Sequence, residues 1–287
     1  MNYWLVLPLF PPEELVPIAR EAEAAGFAGV ALGDHASNPQ RIASQYPYGM
    51  RRGTIATPGG NKILSSPMVL IAGLSGVTSV LRFMTFVLVV PLRHPILLAK
   101  EISTAARLAT GRLDLGIGIG WLREEFEALG LDPSSRAQRT DEMMKIMQKL
   151  WQGDFVESHT ELLRFEPNQV LPTLSHHLPI IVGGNSPSAL RRAAKIGDGW
   201  VGAYCGLEEL SGMLRLLDDE RHRANRDHMD FEVRLSLKEP PTPDICDRLE
   251  KAGVDGLIVN PGHLTEDSES VDGVLDGLTR FGRERLR

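Results

Sequence analysis

Eight short apolar runs of strand length recur along this chain, and nearly all of them are followed by a segment of helical period. The strands read as Tyr3–Leu9, Gly29–Leu32, Leu81–Pro91, the run that opens at Leu113, Pro179–Val182, Gly199–Tyr204, Phe231–Leu237 and Gly256–Val259. Helices are expected over Glu13–Ala25, Pro67–Ser75, Pro95–Leu108, Ser188–Ile196, Leu207–Asn225, Asp244–Ala252 and Val271–Leu286. Eight β/α units in 287 residues predict an α/β fold of the (β/α)₈ type, which needs roughly 250 residues. A doubly wound open sheet is the alternative with the same alternation. One domain over residues 1–287 is expected. Ser135-Arg136-Ala137-Gln138 resembles a capping box opening a further helix, on which Met143, Ile146, Met147 and Leu150 share a face. Trp151–Pro172 breaks the rhythm as an excursion with short β-like pieces, among them Leu162–Phe165.

The densest segment is Gly111–Gly130, GRLDLGIGIGWLREEFEALG. Leu113, Leu115, Ile117 and Ile119 alternate with Asp114, Gly116, Gly118 and Gly120, a strand period with three glycines on one face. Glycine weakens a strand interior unless something approaches the backbone closely. Leu122, Phe126 and Leu129 then take up helical spacing, and Gly130 supplies the stop. A Rossmann phosphate loop is rejected. Its G-x-G-x-x-G needs a glycine where Trp121 stands, and an indole there blocks the helix from a pyrophosphate.

Composition narrows the class of function. With 31 basic against 37 acidic residues and a net charge of −6, no nucleic acid or anionic membrane surface is expected as a partner. The two cysteines, Cys205 and Cys246, have no metal-ligand spacing and suit a reduced compartment. The opening MNYWLVLPLFPPEE lacks a basic leader and is broken by Pro8, so no signal peptide or membrane anchor is expected, and the chain reads as cytoplasmic.

In a barrel the ligand site lies at the C-terminal ends of the strands. There the chain offers Asp34-His35, Phe86–Pro91, Gly118–Trp121, Gly183–Ser186, Tyr204-Cys205 and Asn260-Pro261. Glycosidase-type acid pairs, zinc-binding histidine motifs and nucleophile elbows are missing from these ends, which points to a cofactor that performs the chemistry itself. Gly183-Gly184-Asn185-Ser186-Pro187 is the best anion site. Two glycines leave a strand, Asn185 or Ser186 can cap, and Pro187 suits the first helical turn. His35 is the acid/base candidate. His94 is expected to cap a helix, His176-His177 to be solvated, and Arg51-Arg52 to be exposed charge or an anion contact. The run Asn38–Lys62 is too long for an ordinary connection and reads as a candidate lid.

These residues together resemble the bacterial luciferase-like monooxygenase superfamily, and within it the branch that uses the deazaflavin coenzyme F420. The resemblance is carried by Gly33-Asp34-His35, Val87–Glu101, Ala109–Gly130, Arg136–Trp151, Ile181–Trp200 and Gly253–Pro261. It implies a (β/α)₈ barrel with an insertion after the fourth unit. Phe86 and Val87 match the family's non-prolyl cis peptide beneath the ring, and Gly118 matches a position kept small beside it. Gly183, Gly184, Asn185 and Ser186 match the cofactor phosphate site, while Asp34 and His35 match the strand end bordering the ring. Phe86 departs from the small residue common there, so its phenyl group is expected to reshape the pocket. The implied activity is hydride transfer between coenzyme F420 and a small organic substrate, in a homodimer, with no metal. An FMN-dependent monooxygenase using O₂ is the first alternative, and a non-catalytic flavin-binding barrel the second.

Overall fold

The computed structural model describes residues 1–48 and 63–285. The strands are β1 (Asn2–Val6), β2 (Gly29–Leu32), β3 (Arg82–Thr85), β4 (Leu88–Val89), β5 (Leu113–Gly118), β6 (Val156–His159), β7 (Arg164–Asn168), β8 (Ile180–Gly183), β9 (Gly199–Cys205), β10 (Glu232–Leu237) and β11 (Gly256–Val259). All but β6 and β7 form one parallel sheet, in which β4 prolongs β3 as the third stave. Pairing of β1 with β11, and of β3 with β5, closes that sheet into an eight-stave barrel and excludes the open alternative. The antiparallel hairpin β6–β7 is the excursion after the fourth unit, its second strand starting two residues beyond the expected Leu162.

The strands alternate as a doubly covered sheet requires. Along β1, Trp4 and Val6 point into the barrel with Ala31, Met84, Ile181, Val201 and Ile258, while Leu5 packs outward against the helices. The helices are α1 (Pro12–Ala25), α2 (Pro67–Ser75), α3 (Pro95–Leu108), α4 (Arg123–Ala128), α5 (Arg136–Gln152), α6 (Pro187–Ile196), α7 (Leu207–Arg223), α8 (Pro243–Lys251) and α9 (Val271–Arg285). Five of them, α1, α2, α3, α6 and α8, open on a proline, whose fixed φ and missing N–H suit a first turn. No helix among the described residues is long and apolar enough to cross a membrane.

The barrel floor is ionic. Asp114, fully buried on β5, meets Arg82 through Oδ1 and Arg234 through Oδ2, the latter at 2.7 Å. The Arg234 guanidinium also lies 4.2 Å from the Trp4 ring centroid. Glu232 also pairs with Arg234, so two carboxylates balance two arginines at the end opposite the site.

Two expectations are corrected. The third strand does not run unbroken over Leu81–Pro91. It stops at Thr85, the Phe86–Val87 peptide bond is cis as the resemblance implies, and a 3₁₀ turn over Val90–Leu92 follows β4. The capping box at Ser135 does not form either. Ser135 is already helical (φ −80°, ψ −8°), because a 3₁₀ turn over Pro133–Ser135 leads straight into α5 and is capped by Asp132, which accepts the Ser134 N–H at 2.9 Å. Arg51-Arg52 and the lid expected over Asn38–Lys62 lie outside the described residues, except for its stretch up to Tyr48.

Candidate active site at the barrel mouth

A cavity of about 810 Å³ opens at the C-terminal ends of the strands. It falls within the roughly 300–1,000 Å³ typical of cofactor and small-molecule sites. Asp34, His35, Phe86, Val87, Gly118, Gly183, Gly184, Asn185 and Ser186 all line it. Their side chains do different things.

Asp34 is a strut. Its carboxylate accepts Arg93 Nη1 and Nη2, each at 2.7 Å, and the Val89 N–H at 2.8 Å. Both oxygens are taken, so the end of β2 is tied to the chain that follows the cis peptide. His35 is the more available group. Its Nδ1 lies 2.9 Å from Oε2 of Glu125, which is 2% exposed. The other Glu125 oxygen accepts the N–H groups of Ala36 and Ser37. A carboxylate held by two backbone donors orients the imidazole and selects its tautomer. The preceding Glu124 accepts the N–H of Ala43 at 2.6 Å and both the N–H and hydroxyl of Ser44. These hydrogen bonds outweigh slight burial and hold its carboxyl down, at about 2. Consecutive acids at the start of α4 thus pin the segment that follows β2.

The glycines of β5 serve the broken third stave. A Cβ on Gly116 would stand 1.8 Å from the Thr85 carbonyl oxygen, and one on Gly118 2.5 Å from Val87 Cγ2. On β8, a Cβ on Gly183 would meet Val87 Cγ1 at 2.6 Å. The expected clearance at Gly118 is therefore real, but the group it admits here is the Val87 side chain. Val87 sits between two bare strands and forms part of the cavity wall.

The Gly183–Ser186 loop is firmly anchored. Trp200 Nε1 donates to the Gly184 carbonyl at 2.8 Å, and Gly184 has φ +120°. The Asn185 amide pairs with the backbone of Ala203 in both directions, at 2.7 and 3.0 Å, so it is not the cap. Ser186 caps α6 by accepting the Ala189 N–H, and its hydroxyl lies 3.0 Å from that of Ser188. Pro187 occupies the first helical position, as expected. His94 also caps its helix, and His177 is exposed beside Asp198.

Several further groups line the cavity. The sequence has four tyrosines, and Tyr46, Tyr48 and Tyr204 all reach this cavity. The rings of His35, Trp121, Tyr46 and Tyr48 follow one another edge to face, with centroids 6.1, 5.2 and 5.3 Å apart. Burial pushes all three phenols up; the Tyr48 oxygen also accepts the Asn185 N–H, and Tyr204 bonds the Asn260 side chain. Burial likewise pushes the Cys205 thiol up to about 12, which leaves it un-ionised and not a nucleophile. Charge comes from Asp34 and Lys238 at strand ends and from the helices, with Glu125 on α4, Arg136 on α5, Arg192 on α6 and Glu209 on α7. Trp121, Tyr204 and Cys205 stand among the strand ends expected from sequence and Tyr46 and Tyr48 within the expected lid, whereas the sequence does not single out Glu125, Arg136 or Arg192.

The model of the luciferase-like monooxygenase family matches residues 4–240. The chain belongs to that family. As a luciferase-like protein it is an oxidoreductase. An uncharacterized Mycobacterium tuberculosis protein is 33% identical over 275 residues, covering 93% of this chain and 92% of its own. The F420-dependent glucose-6-phosphate dehydrogenase of Beutenbergia cavernae is 27% identical over 93% of this chain and 74% of its own. Among solved structures, an F420-dependent secondary alcohol dehydrogenase in complex with an F420-acetone adduct superposes with a TM-score of 0.76 at 15% identity, covering 97% of this chain and 96% of that one. This likeness extends the barrel assignment to the whole fold of the luciferase-like protein.

Proposed function

We propose that this luciferase-like protein is a cytoplasmic, coenzyme F420-dependent oxidoreductase that exchanges hydride with a small organic substrate. The observation that carries the reading is the Val87 wall between Gly118 and Gly183, facing an apolar cavity that leads to the α6 turn. A flat ring against that wall, with a phosphate-bearing arm toward Ser186 and Ser188, fits the donors present. The F420-dependent dehydrogenase among its relatives supports the same cofactor.

The bound coenzyme would supply the hydride chemistry; the protein's part is placement and proton handling. Val87, Phe86 and Gly118 bound the ring's place, and Asp34 acts behind them through Arg93 and Val89. The first turn of α6 offers the Ser186 and Ser188 hydroxyls and the positive end of its dipole to a phosphate. There a phosphate would exchange with the Tyr48 hydroxyl for the Asn185 N–H. His35, oriented by Glu125, holds or releases the proton that accompanies hydride transfer. The homodimer belongs to this proposal too: Val69 of α2 and Leu97 of α3 are 71% and 63% exposed on neighbouring helices.

Fluorescence titration of the pure protein with oxidised F420 and, separately, FMN tests the reading. Binding of F420 with little affinity for FMN is expected. Tight FMN binding with none for the deazaflavin would overturn it in favour of a flavin monooxygenase. His35→Ala is expected to lower turnover about 100-fold or more with F420 affinity retained; unchanged turnover removes the acid/base role.

A further inference from the structure

The alternation of β9 slips by one residue at its C-terminal end. Trp200 packs outward against the helices and Val201 points into the barrel, so strict alternation would turn Cys205 inward. Cys205 packs outward instead. The pairing with β10 shows where the phase is lost. Gly202 stands opposite Leu235 and Cys205 opposite Leu237, so β9 advances three residues while β10 advances two. The bulge falls on Ala203 and Tyr204, and both line the cavity. Without it Tyr204 would point away from the mouth; a bulge re-aims a side chain in this way. Tyr204 also takes a left-handed φ of +49°, a costly conformation for an aromatic residue that persists only where the surroundings hold it.

Two asparagines hold it. Ala203 pairs in neither neighbouring register, and the Asn185 side chain satisfies both its backbone groups, accepting the N–H at 3.0 Å and donating to the carbonyl at 2.7 Å. Asn260, 8% exposed at the end of β11, meets the phenol itself. Burial pushes that phenol up and the Asn260 hydrogen bond opposes it, the sign of an amide N–H donating to the phenol oxygen. The hydroxyl hydrogen then has no acceptor among the described residues.

Charge on this side of the mouth is balanced. Among the described lining residues of β9, β11, α7 and the end of β10, only Glu209 and Lys238 are charged; both are exposed, and they act on the Cys205 thiol with opposite sign. The buried donor that the wall presents is therefore neutral. Three staves separate β9 from β2 in either direction, so Tyr204 and His35 line one space from opposite sides.

We propose that the Tyr204 hydroxyl, oriented by Asn260, donates a hydrogen bond to an oxygen of the substrate, and that this substrate is an uncharged alcohol or carbonyl compound. This rests on the oxidoreductase reading above and names its substrate class. A phenol that keeps its proton donates to a hydroxyl or carbonyl oxygen with no charge to neutralise, whereas an anionic group would lack a buried cation on this side. Tyr204 binds and orients; the proton of the reaction stays with His35.

The test is calorimetric titration of the F420-loaded protein with cyclohexanone and with cyclohexyl phosphate, in wild type, Tyr204→Phe and Asn260→Asp. Tyr204→Phe removes the donor, while Asn260→Asp keeps the ring and offers the phenol hydrogen a carboxylate instead. Circular dichroism and F420 titration establish that the variants are folded and hold the cofactor. Wild type is expected to bind cyclohexanone at least about 10-fold more tightly than the phosphate ester. Each variant should lose about 3- to 10-fold in cyclohexanone affinity, the size of one hydrogen bond, with F420 affinity unchanged. Unchanged cyclohexanone affinity in the variants, an equal loss for F420, or no cyclohexanone binding in wild type removes Tyr204 as the donor. Tighter binding of cyclohexyl phosphate gives the subsite to Lys238 and overturns the neutral class. If wild type does not bind F420, the cofactor reading fails by itself, and the same titrations on FMN-loaded protein decide the role of Tyr204 by the same outcomes.

Discussion

His35 Nδ1 stands 2.9 Å from Glu125 Oε2, a contact between residues 90 positions apart that joins the end of β2 to the first turn of α4. The same carboxylate holds the N–H groups of Ala36 and Ser37, so one buried side chain sets both an imidazole and the backbone that carries it. Glu125→Ala leaves two backbone donors and an imidazole without their acceptor. It is expected to cost about 2–5 kcal/mol in urea unfolding. Glu125→Gln keeps an acceptor for the backbone and should cost less, but its amide presents a donor to Nδ1. The nitrogen-15 spectrum of His35 should then report a changed tautomer. An unchanged tautomer would show that Glu125 does not orient the ring.

Gly118 and Val87 should behave as one unit. Gly118→Ala places a methyl 2.5 Å from Val87 Cγ2, and such overpacking costs about 1–3 kcal/mol. Val87→Ala removes the clashing methyl. The double variant is expected to recover most of the loss, giving a coupling of about 0.5–3 kcal/mol in a double-mutant cycle. Additive effects would place the strain elsewhere.

Asp34→Asn leaves the Arg93 guanidinium, 22% exposed, without its two-point carboxylate. A loss of about 3 kcal/mol in unfolding free energy is expected. Arg123→Gln is the control: its i,i+4 pair with Glu127 joins side chains 69% and 56% exposed and should be worth under about 0.5 kcal/mol. Similar losses in the two variants would remove the structural role given to Asp34.

The tyrosines predict the alkaline limit. Burial raises the phenols of Tyr3, Tyr46, Tyr48 and Tyr204 above their ordinary 10.0. In the unfolded chain they ionise near that value, while the folded protein keeps their protons. Above it the unfolded state therefore binds fewer protons, and stability falls as pH rises. Below it the contribution is fully present. Ultraviolet titration should show little tyrosinate at about pH 10.5 until urea is added, and unfolding midpoints should drop over the same range. Normal ionisation in the folded protein would show these phenols to be open to water.

Much of the architecture was legible because it is local. The glycines of LDLGIGIG announced a close approach to β5, and Pro187 announced the start of α6. The same local pattern left the α6 cap open between Asn185 and Ser186, because it does not encode the pairing of Asn185 with Ala203 eighteen residues away, and it extended the third strand through Phe86.

The sequence by itself determined the alternation of strands and helices, the burial of both strand faces and the position of the Gly183–Ser186 turn, since period, proline and glycine act within a few residues. Tertiary structure alone decided what each mouth residue touches. Barrel closure brings Val87 between Gly118 and Gly183, Glu125 to His35 and Tyr48 to Asn185. It also gives Arg192 a carboxylate partner, while Arg136 has none among the described residues. Those outcomes depend on distances between strand ends that no local pattern encodes.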